Sequence, residues 1–353
     1  MSTHVPRRRA IRPPSRSERL RARLSGGVLA IRRSRFPFLV WAAVVAAGLA
    51  ALVTAMVPVG PEWLGGAGAV AVATAYTWGL AARTGGRPVI FSALALAMGV
   101  AVLVSDERVL RTGAAVMTCV VSAVLGVTAT VPAVRFVNAC REAFVATLVA
   151  SIGALATVGF EPVITLVRFE YATLGLSLLG AFAVVFRLGA GLHGLGRRGM
   201  LAVLLGSLVL AFTLAYAELI RRYGPPGLVD HLLAGVHWSR DHLGAFPRPI
   251  EAMLGVPALA WGCHMRARRR QGWWVCAFGA AATAPVAQAL LNPAISYLEC
   301  GLSVLYGLVV GLLIGFVVIR LDLAITGPRG SRARRAEEAA AVRPEPARTR
   351  ALL

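Results

Sequence analysis

Across its 353 residues the chain is 57% hydrophobic and only 15% charged, yet 37 basic residues against 16 acidic ones leave it at +21. A soluble protein this apolar could not cover its surface with polar groups, and disordered chains lack such apolar content, so both classes are excluded over most of the length. Every basic residue is arginine, which excludes Schiff-base enzymes, pyridoxal phosphate enzymes and Walker-A nucleotide sites, since each needs a lysine.

Residues 1–35 hold eleven arginines, Glu18, Pro6, Pro13 and Pro14. They carry too little apolar surface to pack and are expected to form a disordered basic tail. Charge-free runs then follow, and a transmembrane helix needs about 20 largely apolar residues. In the first half they are Phe36–Val59, Trp63–Ala82, Val89–Val104, Gly113–Val134 and Ala143–Phe160. In the second half they are Tyr171–Phe186, Met200–Ala217, Ile250–His264, Trp273–Leu291 and Gly301–Ile319. The expected fold is therefore an all-α, polytopic membrane bundle of ten spans over 36–320, followed by a disordered tail over 321–353. The third, sixth and eighth runs are short. Snorkelling arginines such as Arg187 and local bilayer thinning make up the difference. The first run is too long for the apolar part of a signal peptide and lacks a small-x-small cleavage site, so it reads as a retained anchor.

Ten spans divide the polar segments into two sets. The first holds both tails and the loops near 83–88, 135–142, 187–198 and 265–272, with 30 arginines and 6 acids, a net +24. The other five loops hold 7 arginines and 10 acids, a net −3. Arginine excess marks the cytoplasmic side, so both ends are expected inside a plasma membrane. Trp41, Trp78, Trp261, Trp273 and Trp274 fall near the inner edge, and Trp63, Tyr171, Tyr216, Tyr223 and Tyr297 near the outer one, where amphipathic rings prefer to lie. No aromatic residues interleave the tail arginines to stack bases, so anionic lipid headgroups rather than nucleic acid are their expected partners.

Cys119, Cys140, Cys263, Cys276 and Cys300 are scattered. Only Cys300 lies near the outer edge, so no extracellular disulfide within the chain is available. Gly189–Gly194 matches G-x-G-x-x-G, but it follows a membrane helix and has no βαβ unit around it, so it implies no dinucleotide. No cofactor and no metal site is assigned.

The loop between the seventh and eighth runs is the long one. After Gly224-Pro225-Pro226-Gly227 comes an uninterrupted stretch over about 228–243. At about 100° per residue, Leu228, Val229, Leu232, Leu233, Val236 and Leu243 share one arc, while Asp230, His237 and Asp241 share the opposite face. His231, Trp238 and His242 form a neighbouring stripe. The pattern predicts an amphipathic helix on the outer membrane surface. Asp230, His237 and Asp241 are either a solvated face or a lid over an outer cavity that holds substrate, binding a metal or acting as a general acid–base group.

The ninth run ends Ala284-Pro285-Val286-Ala287-Gln288 and continues to Asn292-Pro293. Proline kinks a helix by freeing a carbonyl. Gln288 and Asn292, one turn apart, are candidates to line a substrate site or to hydrogen-bond a neighbouring helix. In the tenth run Ser303, Gly307, Gly311 and Gly315 recur every four residues, a ladder that lets two backbones approach closely, inside the chain or in an oligomer.

Acids sit at span edges (Glu142, Glu161, Glu170, Glu218, Glu251 and Glu299) rather than at mid-bilayer. Ion-coupled carriers keep carboxylates at mid-bilayer despite the cost, so an ion-coupled pump is not expected. Ten spans with both ends inside is similar, by count alone, to the drug/metabolite transporter superfamily; no residue-level repeat links the halves. The first expectation is an uncoupled or weakly coupled carrier for a small or amphipathic solute, with Gln288 and Asn292 at its site. The second is a non-catalytic scaffold in envelope assembly, binding through the glycine face and the arginine tails. The third is an outer-leaflet enzyme for a lipid-linked substrate, using the 228–243 helix.

Overall fold

The computed structural model describes residues 36–57, 60, 61, 63–105, 107–188, 196–268, 271–326 and 345–352, and among these there are helices and no strands. The basic tail expected at 1–35 and the stretch 327–344 lie outside the described residues. The chain divides after Ala43 into two units. In the first, Phe38 stacks on Trp41 at 5.8 Å. All contacts below lie within the second.

In chain order the helices are α1 (Phe36–Met56), α2 (Trp63–Arg83), α3 (Pro88–Ser105), α4 (Arg108–Thr128), α5 (Phe136–Gly159), α6 (Leu166–Leu188), α7 (Gly196–Tyr223) and α8 (Pro226–Leu243). A π-helical turn, Glu251–Gly255, runs into α9 (Val256–Arg266). Three short pieces, α10 (Gly272–Ala277), α11 (Ala280–Thr283) and α12 (Pro285–Leu291), precede α13 (Tyr297–Thr326).

Nine segments among the described residues are long and apolar enough to cross a membrane: α1 to α7, the composite Gly272–Leu291, and α13. The protein is a membrane-embedded helical bundle. The sixth expected run is no longer short, because α6 continues through Arg168 and Glu170. The eighth, Ile250–His264, is helical but remains short, with a π turn of 5 residues and an α-helix of 11. It forms one arm of a hairpin whose other arm is Gly272–Leu291. Both arms are nearly all buried, so lipid is not their solvent and the length rule does not bind them.

Glycines zip this hairpin. A methyl group on Gly272 would sit 2.7 Å from the Gly262 carbonyl oxygen, and one on Gly255 would sit 2.5 Å from Ala282 Cα. The second arm breaks twice. Pro285 offers no N–H to continue the ladder, and around Phe278 and Gly279 the bonds tighten to i→i−3 (Gly279 N–H to Cys276 O, 2.9 Å; Ala282 N–H to Gly279 O, 2.9 Å). The core surrounds the hairpin: Ala139, Ala143 and Ala146 of α5, Ala181 and Val185 of α6, and Leu308 of α13 pack on Val256, Leu259 and Ala277. Phe182 meets Phe278 edge-on at 5.1 Å.

The span-ten ladder faces inward. Ser303 donates to Phe246 O at 2.7 Å. A methyl on Gly307 would lie 2.7 Å from Glu251 Cδ, one on Gly311 2.5 Å from Val256 Cβ, and one on Gly315 3.1 Å from Ala260 Cβ. The close approach the ladder permits is thus used within the chain. The outer surface is the reverse of a soluble protein's: Leu94 and Met98 of α3, Leu204 and Leu208 of α7, and Leu313 and Val317 of α13 are all more than half exposed, as side chains facing lipid are.

The region expected to be a tail from residue 321 starts later and ends differently. α13 continues to Thr326, because Leu321, Leu323, Ala324 and Ile325 extend its apolar character. Residues 345–352 pack against the bundle: Leu352 N–H bonds Arg83 O at 2.7 Å, and the Leu352 side chain joins the core.

Candidate functional site

Gln288 lies in α12 just past the proline break and holds two ionisable groups together. Its Nε2 donates to Glu170 Oε2 at 2.6 Å, and its Oε1 accepts from Arg248 Nη1 at 3.0 Å. The same Nη1 reaches Pro285 O at 3.2 Å. Three elements supply these groups. Glu170 comes from the first turns of α6, Arg248 from the segment before the π turn, and Gln288 from the broken arm. Pro285 opens α12, which sets its carbonyl, and Gln288 one turn further on, within reach of Arg248.

Glu251 adjoins this cluster and opens the π turn. It is 0% exposed, and among the described residues neither carboxylate oxygen has a hydrogen-bond partner. Only the absence of a side chain at Gly307 leaves it room. Arg248 is close enough to interact electrostatically with Glu170, Glu251 and Cys300, and its Nε is buried without a partner. π-helical turns are rare and recur at functional sites, where the extra residue re-aims a side chain. Here that turn carries a buried acid. The Arg248-Pro249 step at the mouth of an unusually short apolar run was the sequence signal for this group; it passes unnoticed because Glu251 reads as an edge acid.

Asn292 stands apart from Gln288. It leaves the helix in an extended conformation, and its Oδ1 accepts the Ala294 N–H at 3.0 Å. Asn292 ends α12 and turns the chain toward α13. The two amides therefore do not form one face, because the helix stops between them.

The expected amphipathic helix is present as α8. Its apolar arc is largely uncovered by protein: Leu228, Leu232, Leu233 and Leu243 are each more than two-fifths exposed. Asp230, His237 and Asp241 are exposed on it. His231 and His242 bond back to Gly227 O and Trp238 O, at 2.6 and 2.9 Å. Among the described residues no group of three or more His, Cys, Asp or Glu could hold a metal ion. The C-terminal end of α8 is tied down. Ser239 Oγ donates to Ala245 O at 2.7 Å, Arg240 pairs with Glu299 at 3.1 Å, and Tyr306 OH donates to Leu243 O at 2.8 Å.

The Gln288 cluster offers one guanidinium, two carboxylates and an amide at the edge of an apolar bundle. It provides sites of both signs a short distance apart, which suits a solute bearing both charges or strong dipoles. No protein-family model, curated protein or solved structure matches this chain.

Proposed function

We propose that this protein carries a small or amphipathic solute across the cytoplasmic membrane by an uncoupled or weakly coupled route. The solute is recognised at Glu170, Arg248, Glu251 and Gln288. The supporting observation is the Gln288 amide bridging Glu170 and Arg248, beside a buried, unpartnered Glu251, where a proline break meets a π turn. Broken helices that expose polar groups are how membrane bundles build solute sites. The charge of the arginine-rich loops and both tails assigns them to the cytoplasm, so the cluster is at the outward end. Asp230, His237 and Asp241 serve in this reading as the wet face of an interfacial helix. The scaffold alternative relied on the glycine face and the arginine tails; Gly307, Gly311 and Gly315 meet residues 251–260 of the chain itself, which leaves that alternative the tails.

The test is solute flux into proteoliposomes of purified protein, screened with zwitterionic and amphipathic compounds. Gln288→Leu is expected to lower the initial rate about tenfold or more, because the two ionisable groups lose their bridge. Collapse of proton and sodium gradients is expected to leave the wild-type rate within about twofold. Alanine at His237 and Asp241 should leave the rate unchanged. Flux equal to wild type in folded Gln288→Leu protein would remove the site from the mechanism.

A further inference from the structure

The opposite end of the bundle holds a second buried polar cluster, which the proposed transport site does not use. Arg266, at the end of α9, is 0% exposed and lies 3.4 Å over the Trp273 ring. It donates through Nη1 to Thr130 Oγ1 at 2.7 Å and through Nη2 to Thr130 O at 3.2 Å. The same Nη2 meets Glu345 Oε2 at 2.5 Å. Arg83, at the end of α2, is 3% exposed. Its Nε donates to Thr128 O at 2.9 Å, and its Nη1 donates to Ala347 O and Arg350 O at 2.8 and 2.6 Å.

The charges here do not balance. Glu142 is fully buried, but Arg141 and Arg348 hold it at 2.9 and 2.8 Å and the Val131 N–H at 2.9 Å. Among the described residues Glu345 is the carboxylate that touches Arg266, whereas the hydrogen bonds of Arg83 go to neutral carbonyls and Glu345 acts on it through space. Among the described residues Arg83 Nη2 and Arg266 Nε are buried with no hydrogen-bond partner, and the two guanidiniums are close enough to repel one another. Two desolvated cations thus share one monovalent carboxylate, brought in by a segment 79 residues downstream of Arg266. A dianion would neutralise both and use the fork geometry that arginine offers to phosphate. Were the segment to leave with nothing in its place, both cations would remain buried and uncompensated, which is strongly unfavourable.

We propose that Arg83, Arg266 and Thr130 form a binding site for a phosphate-type dianion reached from the arginine-rich end. Residues 345–352 are its built-in occupant, so that ligand and segment compete. The dianion is a free phosphate or phosphomonoester rather than a phosphodiester headgroup, whose single charge offers no advantage over Glu345.

The full-length protein in nanodiscs of zwitterionic lipid provides the test. Docking ties the backbone around Arg348 and Arg350 through Arg350 N–H to Ala347 O and Leu352 N–H to Arg83 O, so the segment must detach before trypsin can take the peptide bonds after these arginines in an extended form. Inorganic phosphate is expected to speed cleavage there about fivefold over chloride at equal ionic strength, by releasing the segment. Calorimetric titration should show Glu345→Gln binding phosphate about tenfold tighter than wild type, since the competitor is removed. Adding Arg83→Gln or Thr130→Val to that variant should abolish the gain. If Glu345→Gln is poorly folded, restoration of its thermal midpoint by phosphate but not by chloride supports the site in place of the titration. Equal acceleration by phosphate and chloride would overturn the proposal. So would release by phosphatidylglycerol but not by phosphate, or Glu345→Gln binding no tighter than wild type.

Discussion

At the residue scale, the fold depends on where side chains are missing. A methyl on Gly311 would press on Val256 Cβ at 2.5 Å and on the Ala252 carbonyl oxygen at 3.2 Å. Helix backbone cannot yield as a flexible side chain can. Gly311→Ala is therefore expected to cost about 1–3 kcal/mol despite its better helix propensity. Gly301→Ala, where nothing lies within 4 Å, should be neutral or stabilising by up to about 1 kcal/mol. Thermal unfolding of both variants in detergent distinguishes the cases; equal midpoints would show that the ladder does not pack tightly. The ladder itself was legible, since a four-residue period of small side chains has one physical use. The glycines of the hairpin were not, because Gly255 and Gly262 on one arm, and Gly272 and Gly279 on the other, recur only once at seven residues, too short a repeat to read, and meet the facing arm only in the fold. Gln288 was legible as an amide beside a proline, and the end of the helix at Asn292 follows from Pro293, which drives the residue before it into the extended conformation observed.

Elements differ in how firmly they are held. α8 has little of its surface buried, and its fixed point is its last turn, where the buried Ser239 hydroxyl bonds Ala245 O. Ser239→Ala strands that carbonyl and is expected to cost about 1 kcal/mol. Most of that loss should appear locally, as faster amide exchange in α8 with the exchange of α5 and α9 unchanged. Uniform acceleration across the bundle would instead show that α8 is integral to the global fold. The existence and amphipathic character of α8 followed from periodicity between a Gly-Pro-Pro-Gly turn and Gly244, which takes the left-handed conformation expected of a helix stop (φ 77°). The hairpin was read as two ordinary spans, because apolar runs look alike whether they face lipid or protein. The short first arm and the proline break in the second were legible; the burial of both arms and the second break at Phe278–Gly279 belong to the tertiary structure.

Over the whole molecule, the uneven charge is the strongest property that can be read without coordinates. With +24 on one set of loops and −3 on the other, a fluorescent reporter fused after α13 should fold and fluoresce in the cytoplasm. A reporter active only outside should work when inserted at Gly235 of α8. The reverse pattern would invert every assignment of inner and outer end made above. The packed segment 345–352 lay beyond sequence reasoning. Its composition is that of a solvated tail, and its attachment depends on partners at positions 83, 142 and 266, which only the fold brings together.

The distant attachment of Arg266 also bears on how the protein is made. Thr130 is in place before the hairpin is synthesised, but Glu345 follows Arg266 by 79 residues, after all of α13 has entered the bilayer. During that interval Arg266 has no carboxylate, so its guanidinium stays hydrated at the arginine-rich end rather than buried. That end of the hairpin therefore closes last, when residues 345–352 arrive. A ribosome that stalls shortly after α13 would leave the bundle complete in its spans but unsealed at its arginine-rich end.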